Sequence, residues 1–122
     1  MPFKKKDPER YLPLTPPMFH VLLALSDGEK HGYAILKEVA QRTVGKVRLS
    51  AGTLYGIVHR LLAGGLIQES DERPDPALDD ERRRYYRLTD FGRRVAIAEA
   101  ERLAEMLAMA RAKKLIKRPQ PT

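Results

Sequence analysis

Cysteine and tryptophan are both missing from this chain of 122 residues, and the first absence excludes disulfide frameworks and thiolate metal sites. Histidine is sparse. His20, His31 and His59 fall in separate elements, with no carboxylates at ligand spacing around them, so no metal site is expected. No apolar run approaches the length of a transmembrane helix. The basic start Met1-Pro2-Phe3-Lys4-Lys5-Lys6 leads into no apolar stretch of the kind a signal peptide carries, so a cytoplasmic protein with no membrane partner is expected. Catalytic signatures are lacking as well: no Gly-rich phosphate loop follows a strand, Ser50 has no nucleophile-elbow context, and no paired carboxylates are held together. The chain therefore reads as a non-enzyme with no catalytic residues and no cofactor.

What the sequence has in excess is positive charge. Lys and Arg number 23 against 16 Asp and Glu, for a formal net charge of +7 and a pI of about 9.9. Such a balance favours polyanions, either nucleic acid or an anionic surface. The length and a 43% hydrophobic share suit one domain with a modest core.

Along the chain, residues 1–13 mix Lys4, Lys5, Lys6 and Arg10 with Pro2, Pro8 and Pro13. That composition resists regular structure and predicts a mobile basic arm, which either touches phosphates or is simply solvated. Thr15 before Pro16 and Pro17 has the form of an N-cap and first turn, so a first helix carries the apolar run from Met18 to Leu25 and ends at Asp27-Gly28. A second helix opens at His31-Gly32-Tyr33, lines one side with Ile35, Leu36, Val39 and Ala40, and stops at Gly45. Ser50 caps a third helix over 51–63. Two helices joined by a short Gly-containing turn form a helix-turn-helix, whose second helix enters the major groove. Strands are predicted at 66–69 and 84–88, paired as a hairpin. The Asp-, Glu- and Pro-rich stretch from Ser70 to Glu81 between them is too polar to pack and reads as a long mobile loop. A hairpin in this place is a wing. Thr89 caps a final helix from about Phe91 to about Lys114, with Asp90 well placed for the helix dipole and Pro119 and Pro121 barring extension. The expected organisation is thus an arm at 1–13, a winged-helix domain at 14–89, a C-terminal dimerisation helix at 90–116 and a disordered tail at 117–122. In fold class it is α+β, mostly helical.

Within the helix at 51–63, Leu54, Val58 and Leu61 make a narrow apolar stripe, with Ile57 and Leu62 at its edges, and this side must be buried. The opposite side carries Gly52, Gly56, His59 and Ala63. Interior glycines cost a helix about 1 kcal/mol each against alanine, so a bare outer face points to something approaching the backbone closely, such as a DNA groove. The same face also fits close packing against another helix. Ser50, Thr53 and Tyr55 place hydroxyls near the exposed N–H groups of the helix start, where phosphate oxygens bind; for Tyr55 core packing is an equal alternative. Arg60 lies beyond His59 on the same helix. Arg82, Arg83 and Arg84 form a basic cluster at the root of the second wing strand, positioned to skirt a phosphate backbone. The acidic residues Asp71, Glu72, Asp75, Asp79, Asp80 and Glu81 should turn the wing tip away from DNA. In the last helix Ala96, Ala100, Leu103, Leu107 and Ala110 recur at spacings of a coiled-coil seam, widened by Met106 and Met109. The first turns, around Phe91 and Val95, should cover the winged-helix core, and the later ones should meet a second copy.

Leu14-Thr15, His31-Gly32-Tyr33-Ala34-Ile35-Leu36, Ser50-Ala51-Gly52-Thr53-Leu54-Tyr55, His59-Arg60-Leu61, Gly64-Gly65-Leu66-Ile67 and Arg83-Arg84-Tyr85-Tyr86-Arg87-Leu88-Thr89 occur in this order. Together they resemble the PadR-like transcriptional regulators, over residues 14 to about 95. The resemblance implies a winged-helix DNA-binding domain, a homodimer through C-terminal helices, repression of stress, detoxification or efflux genes, and a small apolar or aromatic effector. The single C-terminal helix is similar to the short subgroup. Gly56 stands where the family commonly has proline, and Leu62 where it commonly has glutamate. Some short members stack aromatic drugs on an interface tryptophan, which this chain lacks.

Overall fold

The computed structural model describes residues 7–70 and 84–117. A 3-10 helix, Pro8–Tyr11, precedes α1 (Pro16–Leu25), the short strand β1 (Lys30–His31), α2 (Gly32–Arg42), α3 (Ala51–Ala63), strands β2 (Ile67–Ser70) and β3 (Tyr85–Leu88), and the long α4 (Asp90–Ala112). The strands form an antiparallel sheet in the order β1-β3-β2.

Each helix begins where a side-chain cap satisfies an orphan backbone N–H. Thr15 accepts from Met18 N, Ser50 from Thr53 N and Thr89 from Gly92 N. For α2 the cap is His31, whose Nδ1 accepts from Ala34 N at 3.1 Å. The core closes where these helices meet: Val21, Leu22 and Leu25 of α1 join Ile35 and Val39 of α2, Leu54, Ile57, Val58 and Leu61 of α3, and Phe91 and Val95 of α4. β2 and β3 pair Ile67 with Leu88 and Glu69 with Tyr86, and Leu66, Ile67 and Tyr86 roof the core. Gly92 makes the junction of hairpin and α4 possible. A Cβ there would stand 1.8 Å from the Leu66 carbonyl oxygen, so no other residue fits without moving backbone.

Four expectations are corrected. Residues 7–13 do not resist regular structure, since Pro8–Tyr11 form a 3-10 helix. Tyr11 packs edge-on to Phe91, with ring centroids 5.5 Å apart, and its hydroxyl donates to the Gly64 carbonyl at 3.3 Å, so these long-range contacts override the proline-rich composition; Lys4, Lys5 and Lys6 lie outside the described residues. The sheet gains a strand, because Lys30 and His31 pair with Tyr86 and Tyr85. α2 ends at Arg42, three residues before Gly45. Val44 holds the left-handed position at φ 53°, while Gly45 N reaches the Ala40 carbonyl at 2.8 Å and Val44 N that of Gln41 at 3.1 Å, a Schellman stop. α4 stops in the same way, with Lys114 at φ 63° and Leu115 N on the Ala110 carbonyl, ahead of Pro119. The acidic loop, apart from Ser70 at the end of β2, lies outside the described residues, as does the tail from 118 onward.

Candidate nucleic-acid interface

The side of α3 turned away from the core is open. Leu54, Ile57, Val58 and Leu61 are buried, whereas Ser50, Gly52, Thr53, Tyr55, Gly56, His59 and Arg60 are all exposed. A Cβ built on Gly52 or Gly56 would find nothing within 4 Å, so neither glycine serves close packing among the described residues. Tyr55 is 56% exposed, which removes the core-packing alternative for it. Its hydroxyl would lie 3.2 Å from a Cβ on Gly32, so the ring leans toward the start of α2 and leaves Gly52 and Gly56 bare.

Ser50 Oγ accepts from Thr53 N at 3.1 Å and donates to Thr53 Oγ1 at 3.0 Å, which fixes the first turn of α3. Behind it, Thr43 holds the α2–α3 connection: its hydroxyl donates to the Val39 carbonyl at 2.8 Å and accepts from Val47 N at 3.0 Å. The two helices of the motif are thereby presented at a set distance and angle.

At the wing root Arg84 is exposed and pairs with Glu69 across the strands, Nη1 to Oε1 at 3.0 Å. A surface pair of this kind contributes about 1 kcal/mol at most, so it orients the guanidinium without withholding it from a phosphate. Arg82 and Arg83 lie outside the described residues. Beneath the wing Tyr86 is buried, and this burial, then the neighbouring Glu69, pushes its hydroxyl above the usual tyrosine range.

Along α4 the proposed seam divides. Ala96 packs against the core, Ala110 is half-buried, and Ala100, Leu103, Met106 and Leu107 are exposed. With Met109 at 60% exposure, the later turns carry an apolar face that nothing in the described chain covers.

Two charged centres escaped the sequence reading. Glu99 is 1% exposed; its Oε2 accepts from Leu14 N at 2.8 Å, and Arg102 binds both its oxygens. The Arg102 hydrogen bond holds the Glu99 carboxyl below the usual range, the Leu14 N–H adds to this, and burial opposes it. The signal was available, since Phe91, Val95 and Glu99 recur every four residues and so share the buried face. The second centre is Lys30, whose Nζ donates to the Ala24 carbonyl at 2.6 Å and lies 3.5 Å from Glu38, itself 3.2 Å from Arg42; it ties α1 to α2. Among the described residues no group of three or more His, Asp or Glu is placed to hold a metal ion, and no helix is long and apolar enough to cross a membrane.

A helix-turn-helix with a capped, bare-faced second helix and a two-stranded wing is the geometry of a winged-helix DNA-binding domain. Comparison with known proteins agrees. The PadR-like family of transcriptional regulators matches residues 21–98. A transcriptional regulator from Mycobacterium tuberculosis is 39% identical over 89 residues, covering 73% of this chain and 76% of that one. A transcriptional regulator from Clostridium thermocellum superposes with a TM-score of 0.64 at 26% identity, over 82% of this chain and 89% of the other. A PadR family transcription regulator from Clostridium difficile shares the fold, with a TM-score of 0.65 at 22% identity over 78% and 94% of the two chains. The chain belongs to the PadR-like family of transcriptional regulators.

Proposed function

We propose that the protein is a homodimeric repressor, cytoplasmic and nucleoid-associated, with no catalytic activity of its own, that reads a pseudo-palindromic operator in double-stranded DNA through two copies of α3. The observation that carries this reading is the open glycine face of α3. Gly52 and Gly56 weaken the helix, a Cβ on either would meet no atom within 4 Å among the described residues, and they leave the backbone free for close approach to base edges in a major groove. Tyr55, His59 and Arg60 flank that face, and the hydroxyls of Ser50 and Thr53 stand at its N-terminal end for phosphate oxygens. Arg82, Arg83 and Arg84 take phosphates at the wing root.

Dimerisation uses the apolar face of α4, with Ala96, Ala100, Leu103, Met106, Leu107 and Ala110 on the seam. Two recognition helices about 34 Å apart then set half-sites separated by about 10 base pairs or a multiple of that. A small apolar or aromatic effector fits between the α4 pair and the winged domains, where the exposed Met106 and Met109 offer adaptable lining.

The test is binding to duplex DNA over a range of salt, followed by genome-wide footprinting of bound sites. The expected result is a steep linear fall of log K with log salt and footprints with two-fold symmetry. A salt-independent interaction, or a protein partner captured on the same α3 face with no DNA binding, would show a winged-helix protein-interaction module instead.

A further inference from the structure

Beside the α3 N-cap, on the outer side of α2, lies an open groove of about 490 Å³ whose polar lining is Tyr33, Lys37, Gln41 and Arg48 over a floor that includes Leu36 and Leu49. We propose that this groove is a phosphate clamp gripping the flank of the duplex that α3 reads, with Lys37 and Arg48 as the charge-bearing contacts and Tyr33 and Gln41 as neutral hydrogen-bonding partners. The proposal rests on the reading of α3 as the recognition helix and adds a surface from the first helix of the motif.

Charge is the first argument. Among the described residues no carboxylate lines the groove, and neither Lys37 nor Arg48 makes an ion pair with any of them. The acidic neighbour Glu38 is engaged with Lys30 and Arg42, at 3.5 and 3.2 Å. Two cations without a carboxylate partner among the described residues, with hydrogen-bonding groups between them, complement a phosphodiester.

Position is the second. Arg48 and Leu49 immediately precede Ser50, so a duplex seated on α3 runs its backbone past this groove, as the first helix of such a motif crosses the backbone. Pre-organisation is the third. Tyr33 is 66% exposed yet stacks on His31, with centroids 6.4 Å apart and an interplanar angle of 18°, and His31 itself caps α2. Arg48 is laid back over the turn, its Nη2 3.2 Å from where a Cβ on Gly45 would be. Gly45 also sits at φ +76°, a left-handed conformation that favours glycine in the turn that seats Arg48.

The experiment uses the full chain and a mixed-sequence duplex of about 30 base pairs, because phosphate contacts act regardless of sequence. Lys37→Ala with Arg48→Ala is compared with Arg111→Ala with Lys113→Ala, an equal charge loss at the far end of α4. The groove pair should flatten the slope of log K against log salt by about 0.9 for each lost contact, and Lys37→Arg with Arg48→Lys should restore it. The far pair should leave the slope close to that of the native protein. Both groove side chains are exposed, and Lys37→Gln with Arg48→Gln supplies a second charge-neutral pair that keeps the apolar stems. Equal slopes in the two double variants, with the native protein binding normally, overturn the clamp. A native protein that does not bind the duplex overturns the α3 reading instead.

Discussion

Gly56 sits at the middle of α3, on its open face, and replacing it with leucine should push stability and function in opposite directions. An interior glycine costs a helix about 1 kcal/mol relative to alanine, and leucine is nearly as good a helix former as alanine. Because a Cβ at Gly56 meets nothing within 4 Å among the described residues, no clash at the Cβ offsets that gain. Gly56→Leu should therefore stabilise the fold by about 0.5 to 1 kcal/mol, raising the unfolding midpoint by a few degrees in a domain of this size. The same side chain would stand between the α3 backbone and the base edges. Specific binding should fall toward the non-specific level, a loss of about three orders of magnitude or more. Thermal unfolding at matched protein concentration reads the first effect, and fluorescence anisotropy on a footprinted operator reads the second. A variant that folds and binds its operator as the native protein does refutes the assignment of this face. Destabilisation by more than about 1 kcal/mol refutes its openness, since something would then have to lie against Gly56.

Leu103→Asp with Leu107→Asp puts two charges on the apolar face of α4, where desolvation is costly and no counter-charge is in place; sedimentation should show monomers and a gel shift should show lost binding, whereas a monomeric native protein or a variant that stays dimeric would contradict the proposed interface. Glu99→Ala leaves Leu14 N and Arg102 without their buried acceptor and should cost about 1 to 3 kcal/mol in denaturant unfolding; an unchanged midpoint would show the contact to be idle. Glu99 also predicts a pH effect. Since its folded-state pKa is depressed, its contribution is fully present above the unfolded value of about 4.3 and is lost as pH falls through the lower folded value. Glu99→Gln should flatten the acid limb of the stability curve, and an identical limb in the two proteins would contradict the assignment.

The sequence by itself determined the four α-helices and their starts. Thr15, Ser50 and Thr89 each cap the helix that their position announced, and α3 spans Ala51–Ala63 as its stripe of Leu54, Val58 and Leu61 implies. Caps and 3.6-residue periodicity act within a turn or two, so both can be read from neighbouring residues. The bare face of α3 was legible for the same reason. What only the tertiary structure decided involves partners far apart in the chain. A two-residue strand such as β1 has too few positions to show a period, and exists because β3 lies beside it. Tyr11 meets Gly64 across 53 residues, and Glu99 meets Leu14 across 85. Gly92 is needed because Leu66 lies against it. The groove of Tyr33, Lys37 and Arg48 belongs to this second group: its residues read singly as solvated surface, and become one cationic site only when the turn through Val44 and Gly45 folds Arg48 back toward α2.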